Sequence, residues 1–239
     1  MNTASAFRPG ERETFFEELR RQRWDDHRYY HQSRVNQSLH LFSAFSFLTG
    51  YALLVIAPNM AAIVGWLLAM TSRQIGHFFF EPKDFDNVNH MTHQHKEDIK
   101  VGYNLRRKVV LLSLWAAAPI AIFLEPSFGG LLTPHTDAAG YLDNVALVWL
   151  VLGAGGLLFR TVHLFFIASV QTGLVWCTKI LTDPFHDVKL YGKAPIALSR
   201  GELIDPMYDV IASLSDEIDD LIADVEAPSE VPGRSDATA

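Results

Sequence analysis

The chain has little cysteine and no basic stretch of the kind that binds nucleic acid. Cys177 is the only cysteine among 239 residues, so neither an intrachain disulfide nor a thiolate metal cluster is expected. The net charge of −7 comes largely from the segment after Glu202, and we expect no nucleic-acid partner. The first 35 residues lack an apolar core, so we expect no cleavable signal peptide. The single cysteine fits a reducing compartment or a membrane interior.

Long apolar runs are the abundant feature, and they predict the fold class. Four runs approach the roughly 20 apolar residues that a helix needs to cross the hydrocarbon layer. They are Leu39 to Ala57, Met60 to Phe80, Val109 to Leu124, and a longer run from Val145 to Leu181. The last run is too long for one span. We therefore predict an all-α integral membrane protein, a helical bundle of about four transmembrane helices.

The distribution of lysine and arginine predicts the orientation of this bundle, because these residues concentrate in cytoplasmic loops. Of the 20 in the chain, seven precede the first span, six lie between Lys83 and Lys108, and none lies between Pro126 and Asp143. We expect both termini to be cytoplasmic, in a bacterial inner membrane or the endoplasmic reticulum. On this topology the fourth span ends near residues 160–163, and residues 164–181 continue along or beyond the inner surface.

The same features predict four regions along the chain. Residues 1–38 form a cytoplasmic helical segment, and 39–181 form the bundle, with a histidine-rich inner loop at 83–108. Residues 182–226 form a cytoplasmic segment, in which apolar residues from Ile211 to Val225 recur at helical spacing among acidic ones. This acidic amphipathic helix packs on its own chain or on a second copy, or it binds a partner. Residues 227–239 have a composition typical of disorder.

Nine of the ten histidines fall on the cytoplasmic side of this topology, and only His135 falls outside. Neutral imidazole is a common ligand of Fe, Zn, Cu and Ni, so this one-sided gathering predicts a metal site. A single histidine at the membrane boundary is more often structural, whereas nine on one side favour a site. The candidate ligands are His31, His40, His77, His90, His93, His95 and His163.

Spacing selects two further candidates. Arg73, His77 and Glu81 follow one another at steps of four and share a helix face. Ionisable groups within a span usually mark function, so Glu81 and Arg73 are candidate catalytic residues. Arg73 either holds a substrate carboxylate or pairs with Glu81. A short repeat, Arg73-Gln-Ile-Gly-His77 and Arg160-Thr-Val-His163, suggests that two spans deliver one imidazole each to the same depth.

Two motifs resemble a known family. Tyr30-His31 with Asn36 and His40, followed by Gln74-Ile-Gly-His77-Phe-Phe-Phe-Glu81, resembles the Mpo1-like family of small membrane proteins over residues 29–82. The resemblance implies an Fe(II)-dependent dioxygenase that shortens 2-hydroxy fatty acids by one carbon during α-oxidation. It also implies an iron site of His31, His40 and His77, with Glu81 as a ligand or a neighbour that supports one.

Other histidines leave alternatives open. His27-x-x-x-His31 and His90-x-x-His93-x-His95 resemble, in part, the histidine boxes of membrane di-iron hydroxylases and desaturases. We therefore predict a membrane-bound non-haem iron oxygenase that uses O₂ and a fatty acyl or 2-hydroxy fatty acid substrate, with one Fe(II) favoured over two. The alternatives are a di-iron lipid hydroxylase or desaturase, and a non-enzymatic membrane scaffold or metal carrier. A homo-oligomer or a partner bound through the acidic helix is also expected.

Overall fold

The structure is a computed structural model that describes residues 13–216. The chain divides into two units. Glu13–Pro206 carries the helical bundle, and the described part of the other unit is residues 207–216, in which 208–216 are helical. The predicted disordered tail at 227–239, most of the predicted amphipathic helix and residues 1–12 lie outside the described residues.

The described residues are helical, and no β-strand occurs between residues 13 and 216 apart from two isolated bridges. The all-α class is therefore confirmed. In chain order the helices are α1 (Phe15–Tyr30), α2 (Arg34–Ile56), α3 (Pro58–Ile63), π1 (Val64–Met70), α4 (Thr71–Ile75), π2 (Gly76–Phe80), α5 (His93–Ile99), α6 (Leu105–Leu124), α7 (Ala138–Ile167), α8 (Val170–Tyr191) and α9 (Ala194–Ser199).

Three of these helices, α2, α6 and α7, are long and apolar enough to cross a membrane. Much of their apolar surface points away from the protein. In α6, for example, Ile120 is 63% exposed and Phe123 is 70% exposed. A helix that is apolar on its outward face as well as its inward one is typical of a membrane span. The exposed apolar surfaces of these helices agree with the prediction, made from the apolar runs, that the protein lies in a membrane.

Residues 58–80 form one continuous rod, which we call the segmented helix because it alternates α3, π1, α4 and π2. It follows α2 after a turn at Ala57, and Pro58 starts it at a position where the missing N–H costs nothing. Hydroxyl groups add hydrogen bonds to backbone carbonyls near the junction of π1 and α4. Thr71 Oγ1 donates to Trp66 O at 2.9 Å, and Ser72 Oγ donates to Leu68 O at 2.7 Å.

A tryptophan cluster joins the segmented helix to α6 and α7. The rings of Trp66 and Trp149 each stack on Trp115, with centroids 5.9 and 5.5 Å apart. Trp66 Nε1 donates to Trp149 O at 2.7 Å, and Trp149 Nε1 donates to Trp115 O at 3.0 Å. Indole rings bury a large apolar area, and two of these three N–H groups donate to a carbonyl of a neighbouring helix, so the cluster holds the three helices side by side.

The long apolar run from Val145 to Leu181 is divided by a break in the backbone. α7 ends at Ile167, Ala168 leaves the helical region, and Ser169 caps α8 by accepting from Thr172 N at 2.9 Å. The division therefore falls about one turn beyond the predicted end of the fourth span at residues 160–163. α8 then packs against α1, α2 and α7. Its close approach to α7 needs Gly173, where a Cβ would lie 2.7 Å from Thr161 O.

Candidate metal centre

Three buried histidines meet at the end of the bundle where α2 begins and the segmented helix ends. His31 follows α1, His40 lies in α2, and His77 lies in π2. One ligand nitrogen from each lies within 4.8 Å of the others, and the three residues are at most 6% exposed. Within residues 13–216, this is the one group of histidine, cysteine or carboxylate side chains close enough to hold a metal ion. We call it the histidine triad.

The connection between α1 and α2 brings His31 over His40. Ser33 caps α2 only two residues after His31, so the chain turns back at once. Two side chains of the first turn of α2 then hold the connection in place. Asn36 Nδ2 donates to Tyr30 O at 2.9 Å, and Gln37 Nε2 donates to His31 O at 2.7 Å. As a result the His31 and His40 rings lie 4.1 Å apart, centroid to centroid.

A glycine brings the third histidine into place. A Cβ on Gly76 would lie only 2.1 Å from Asn36 Oδ1, so glycine lets the segmented helix approach α2 while Asn36 keeps its present conformation. The next residue, His77, lies with its ring 4.9 Å from that of His40. Gly76 and His77 also begin π2, and single π turns within α-helices often occur at functional sites because they redirect side chains.

Two of the three imidazoles are held through their Nδ1 atoms. His77 Nδ1 shares a hydrogen bond with Glu81 Oε2 at 2.9 Å, one turn further along the chain. His31 Nδ1 shares one with the hydroxyl of Tyr191, at the end of α8, at 2.8 Å. A histidine that binds a metal usually has its other ring nitrogen held in this way, which fixes the tautomer and the ring orientation. With Nδ1 engaged in both residues, Nε2 is the ring nitrogen that each would offer to a metal.

Three other ring nitrogens of the triad lack protein partners among the described residues. His31 Nε2 and both ring nitrogens of His40 are buried and have no hydrogen-bond partner among residues 13–216. His40 Nδ1 lies 3.8 Å from Asp187 Oδ2, too far for a hydrogen bond but close enough for electrostatic contact. Buried polar atoms without partners are rare because each one costs stability. A cation bound by His31 Nε2 and by one ring nitrogen of His40 would satisfy the lone pairs of those two atoms.

The electrostatics of the triad favour neutral side chains. Burial lowers the pKa of His31 well below its usual value, with His40 contributing in the same direction, so this ring is neutral at neutral pH, as a metal ligand must be. Burial raises the pKa of Glu81 to about 7, and it also raises that of Asp187. A bound cation would favour the ionised form of both carboxylates, because positive charge stabilises them.

A balanced set of charges lies beside the triad, between α1, α4 and α8. Arg73 Nη1 is 3.1 Å from Asp187 Oδ2, and Lys179 Nζ is 2.6 Å from Asp183 Oδ2. Arg73 therefore pairs with carboxylates of α8, and the predicted alternative of a pair with Glu81 is not formed. The set contains three cations and three carboxylates: Arg23, Arg73, Lys179, Asp26, Asp183 and Asp187.

The other predicted ligands do not reach the triad. His93 is linked to the triad only through Glu81. Its Nδ1 lies 4.0 Å from Glu81 Oε1, and the other oxygen of that carboxylate holds His77. His90 sits in a turn with a positive φ of 52°, and His95 projects from α5; both are exposed. His163 shares a hydrogen bond of 2.8 Å with Arg160, whose Nε donates to Val101 O. The second half of the proposed repeat therefore anchors the loop before α6 and delivers no imidazole to the triad.

The sequence analysis did not select Asp187 and Tyr191, both of which α8 brings to the triad. The spacing of polar residues within α8 does contain a pattern that marks both residues. Lys179, Asp183, Asp187 and Tyr191 recur at steps of four and lie on one face of a helix whose other residues are largely apolar. Buried ionisable groups on such a helix usually mark a functional or structural network, so the spacing would have identified this face.

Comparison with known proteins found no match to this chain. No family model, curated protein or solved structure matches the chain. The resemblance over residues 29–82 therefore stays a prediction carried by its own residues. Function has to be inferred from the chemistry of the triad and its surroundings.

Proposed function

We propose that this chain is a membrane-embedded non-haem iron oxygenase that shortens a 2-hydroxy fatty acid, or a related fatty acyl substrate, by one carbon. The observation that carries the proposal is the histidine triad, with buried nitrogens that have no protein partner within residues 13–216. Histidine with nearby carboxylate suits Fe(II) in non-haem oxygenases, where open coordination positions accept O₂ and substrate. The motif resemblance over residues 29–82 supports iron over zinc.

In this proposal the chain's own residues hold and shield the metal. His31, His40 and His77 are the ligands, and Tyr191 and Glu81 fix the orientation of two of the three rings. The triad is buried, so bulk water is kept away from the reacting atoms. Its position at the end of apolar helices lets a substrate dissolved in the bilayer approach sideways.

The proposed topology has four crossings, with the segmented helix as the second. Residues 58–80 form a rod long enough to cross the hydrocarbon layer. Contacts at opposite ends of the bundle support alternating helix directions. Asn59 Nδ2 donates to Asp143 Oδ1 at 2.8 Å at one end, and Tyr103 OH donates to Gly156 O at 2.7 Å toward the other. Both termini then lie on the cytoplasmic side, with the loop between α6 and α7 outside.

Elemental analysis of the purified protein tests the metal. We expect one tightly bound iron per chain, and His31→Ala, His40→Ala and His77→Ala should each lose most of it. His95→Ala should retain it, because His95 is exposed and outside the triad. Full iron retention in His77→Ala would reject the site, and two irons per chain would favour the di-iron alternative.

An oxygen-consumption assay tests the reaction. The iron-loaded protein should consume O₂ when given a 2-hydroxy fatty acid and release a product one carbon shorter, without NAD(P)H or a reductase. A requirement for an electron donor, with chain length unchanged, would overturn this reaction in favour of hydroxylation or desaturation.

Cysteine labelling of sealed vesicles tests the topology. In a Cys177→Ser background, cysteines introduced at Ser127 and Ser199 should be labelled from opposite sides of the membrane. Labelling of both from the same side would refute four crossings.

A further inference from the structure

Two arginines lie at the same depth where α6 and α7 pack together. These helices are antiparallel, and three contacts set their register: Tyr141 OH donates to Pro119 O, Trp149 Nε1 donates to Trp115 O, and a Cβ on Gly156 would lie 3.5 Å from Leu111 Cδ1. Arg107 lies one turn before Leu111, and Arg160 lies one turn after Gly156. The register therefore brings Arg107 and Arg160 to facing positions, and we call them the arginine pair.

Arg160 is buried without a counter-ion. It is 2% exposed, its Nε donates to Val101 O at 3.1 Å, and its Nη1 donates to His163 Nδ1 at 2.8 Å. Both of these acceptors are neutral groups. Between residues 13 and 216, no carboxylate lies at ion-pair distance from this guanidinium. A cation withdrawn from water is costly without an opposite charge, so the position favours an anion from outside the chain.

Arg107 and His163 form the accessible edge of this site. Arg107 is exposed, and its guanidinium has no hydrogen bond or ion pair with any residue from 13 to 216. Because a guanidinium can only donate, His163 Nδ1 accepts from Arg160, and the proton of the neutral ring is on Nε2. The edge therefore offers N–H donors and positive charge. Arginine binds phosphate through two parallel N–H groups, so a phosphate suits this edge.

Apolar side chains that face away from the protein flank the arginine pair. Phe159 is exposed and its ring stacks on His163 with centroids 5.9 Å apart, and Val110 is exposed on α6. Both helices are long and apolar enough to cross a membrane, and the pair lies where the apolar residues 109–124 and 145–159 end. Basic sites between transmembrane helices at this level bind the headgroups of anionic lipids.

We propose that the arginine pair and His163 bind the phosphate headgroup of an anionic glycerophospholipid, whose acyl chains lie along α6 and α7. Two arginines without a carboxylate leave a net positive charge, which a lipid of net negative charge neutralises. A phosphatidylcholine carries its own cation and is therefore the weaker ligand. This inference goes beyond the proposed function, because the lipid is a component of the surrounding bilayer and does not involve the histidine triad.

Native mass spectrometry of the full-length protein tests the site. The protein is titrated in detergent with dioleoylphosphatidylglycerol or with dioleoylphosphatidylcholine, and the lipid-bound fraction is measured. Phosphatidylglycerol should bind about tenfold more tightly than phosphatidylcholine. Arg107→Gln should weaken phosphatidylglycerol binding about fivefold, which is the usual contribution of one basic residue near a membrane surface, and should leave phosphatidylcholine binding unchanged. Arg107→Lys should keep most of the affinity, because it retains the charge.

Arg106→Gln is the matched control, because it removes an exposed cation about 100° around the same helical turn. It should leave phosphatidylglycerol binding unchanged. An equal loss in Arg106→Gln and Arg107→Gln would overturn the inference, since it would show only a general attraction of anionic lipid to a basic surface. Equal binding of the two lipids by the original chain would overturn it as well.

Two further measurements identify the source of the phosphate and the role of the buried charge. Glycerol 1-phosphate at millimolar concentration should not displace the lipid, because it lacks acyl chains; displacement would mean that the site takes a soluble phosphate. Arg160→Gln keeps a donor for Val101 O and should also weaken phosphatidylglycerol binding about fivefold. Unchanged lipid preference in a folded Arg160→Gln would contradict the part assigned to the buried guanidinium. Circular dichroism confirms the fold of each variant.

Discussion

The contact between Gly76 and Asn36 gives the sharpest test of how the triad is assembled. In Gly76→Ala the new Cβ would lie 2.1 Å from Asn36 Oδ1, about 1.3 Å short of ordinary van der Waals contact at 3.4 Å. Either the two helices separate or Asn36 rotates and loses its 2.9 Å hydrogen bond to Tyr30 O. Overpacking of this kind costs about 1–3 kcal/mol. Metal–ligand distances normally lie within about 0.2 Å of their usual values, so displacement of His77 should lower iron affinity at least about tenfold.

Gly65→Ala is the matched control, because it lies in the same segmented helix and a Cβ there meets nothing within 4 Å. The better helix propensity of alanine should make this variant neutral or more stable, by up to about 1 kcal/mol. Asn36→Ala combined with Gly76→Ala removes the clashing oxygen and should restore part of the iron affinity. Thermal unfolding and competition with an iron chelator measure both effects. If Gly76→Ala behaves like Gly65→Ala in both assays, the close helix contact does not position His77.

Three further predictions concern the surroundings of the triad. Tyr191→Phe removes the hydroxyl that holds His31 and should lower iron affinity about 10–100-fold in chelator competition. Tyr51→Phe is the control. It loses only a hydrogen bond to a backbone carbonyl of α8, so iron affinity should not change. Lys179→Met removes the cation that contacts both Asp26 and Asp183, although Asp183 keeps its contact with Arg23, and it should lower the free energy of unfolding by about 1–3 kcal/mol in denaturant titration; unchanged stability would contradict the pairing. Although burial opposes ionisation of Asp26, its contact with the Lys179 ammonium outweighs burial and lowers its pKa to about 2, against about 3.9 when unfolded. Its stabilisation is therefore present above about pH 4 and lost as pH falls toward 2, and Asp26→Asn should flatten the decline in melting temperature across that window.

Much of the helical framework could be predicted from the sequence. The apolar runs located α2, α6, α7 and the segmented helix, because the length and hydrophobicity of a span are properties of its own residues. The break between α7 and α8 was predicted only to within about one turn, since a single apolar run carries no strong signal for where it bends. The steps of four from Arg73 to Glu81 correctly placed His77 beside Glu81.

The spacing of the histidines left seven candidate ligands open, the family resemblance pointed to His31, His40 and His77, and the tertiary structure brings those three together. Periodicity could not distinguish His40 from His163, because both lie near the end of an apolar helix. Their roles depend on whether another helix packs close by, as the segmented helix does at Gly76. Tyr191 is 160 positions from His31 in the chain, and their 2.8 Å contact exists only because α8 packs against α1 and α2. Sequence alone determined which helices form and which side chains share a face, because those are local properties. Helix packing decided which faces meet, and so which histidines can share one ion.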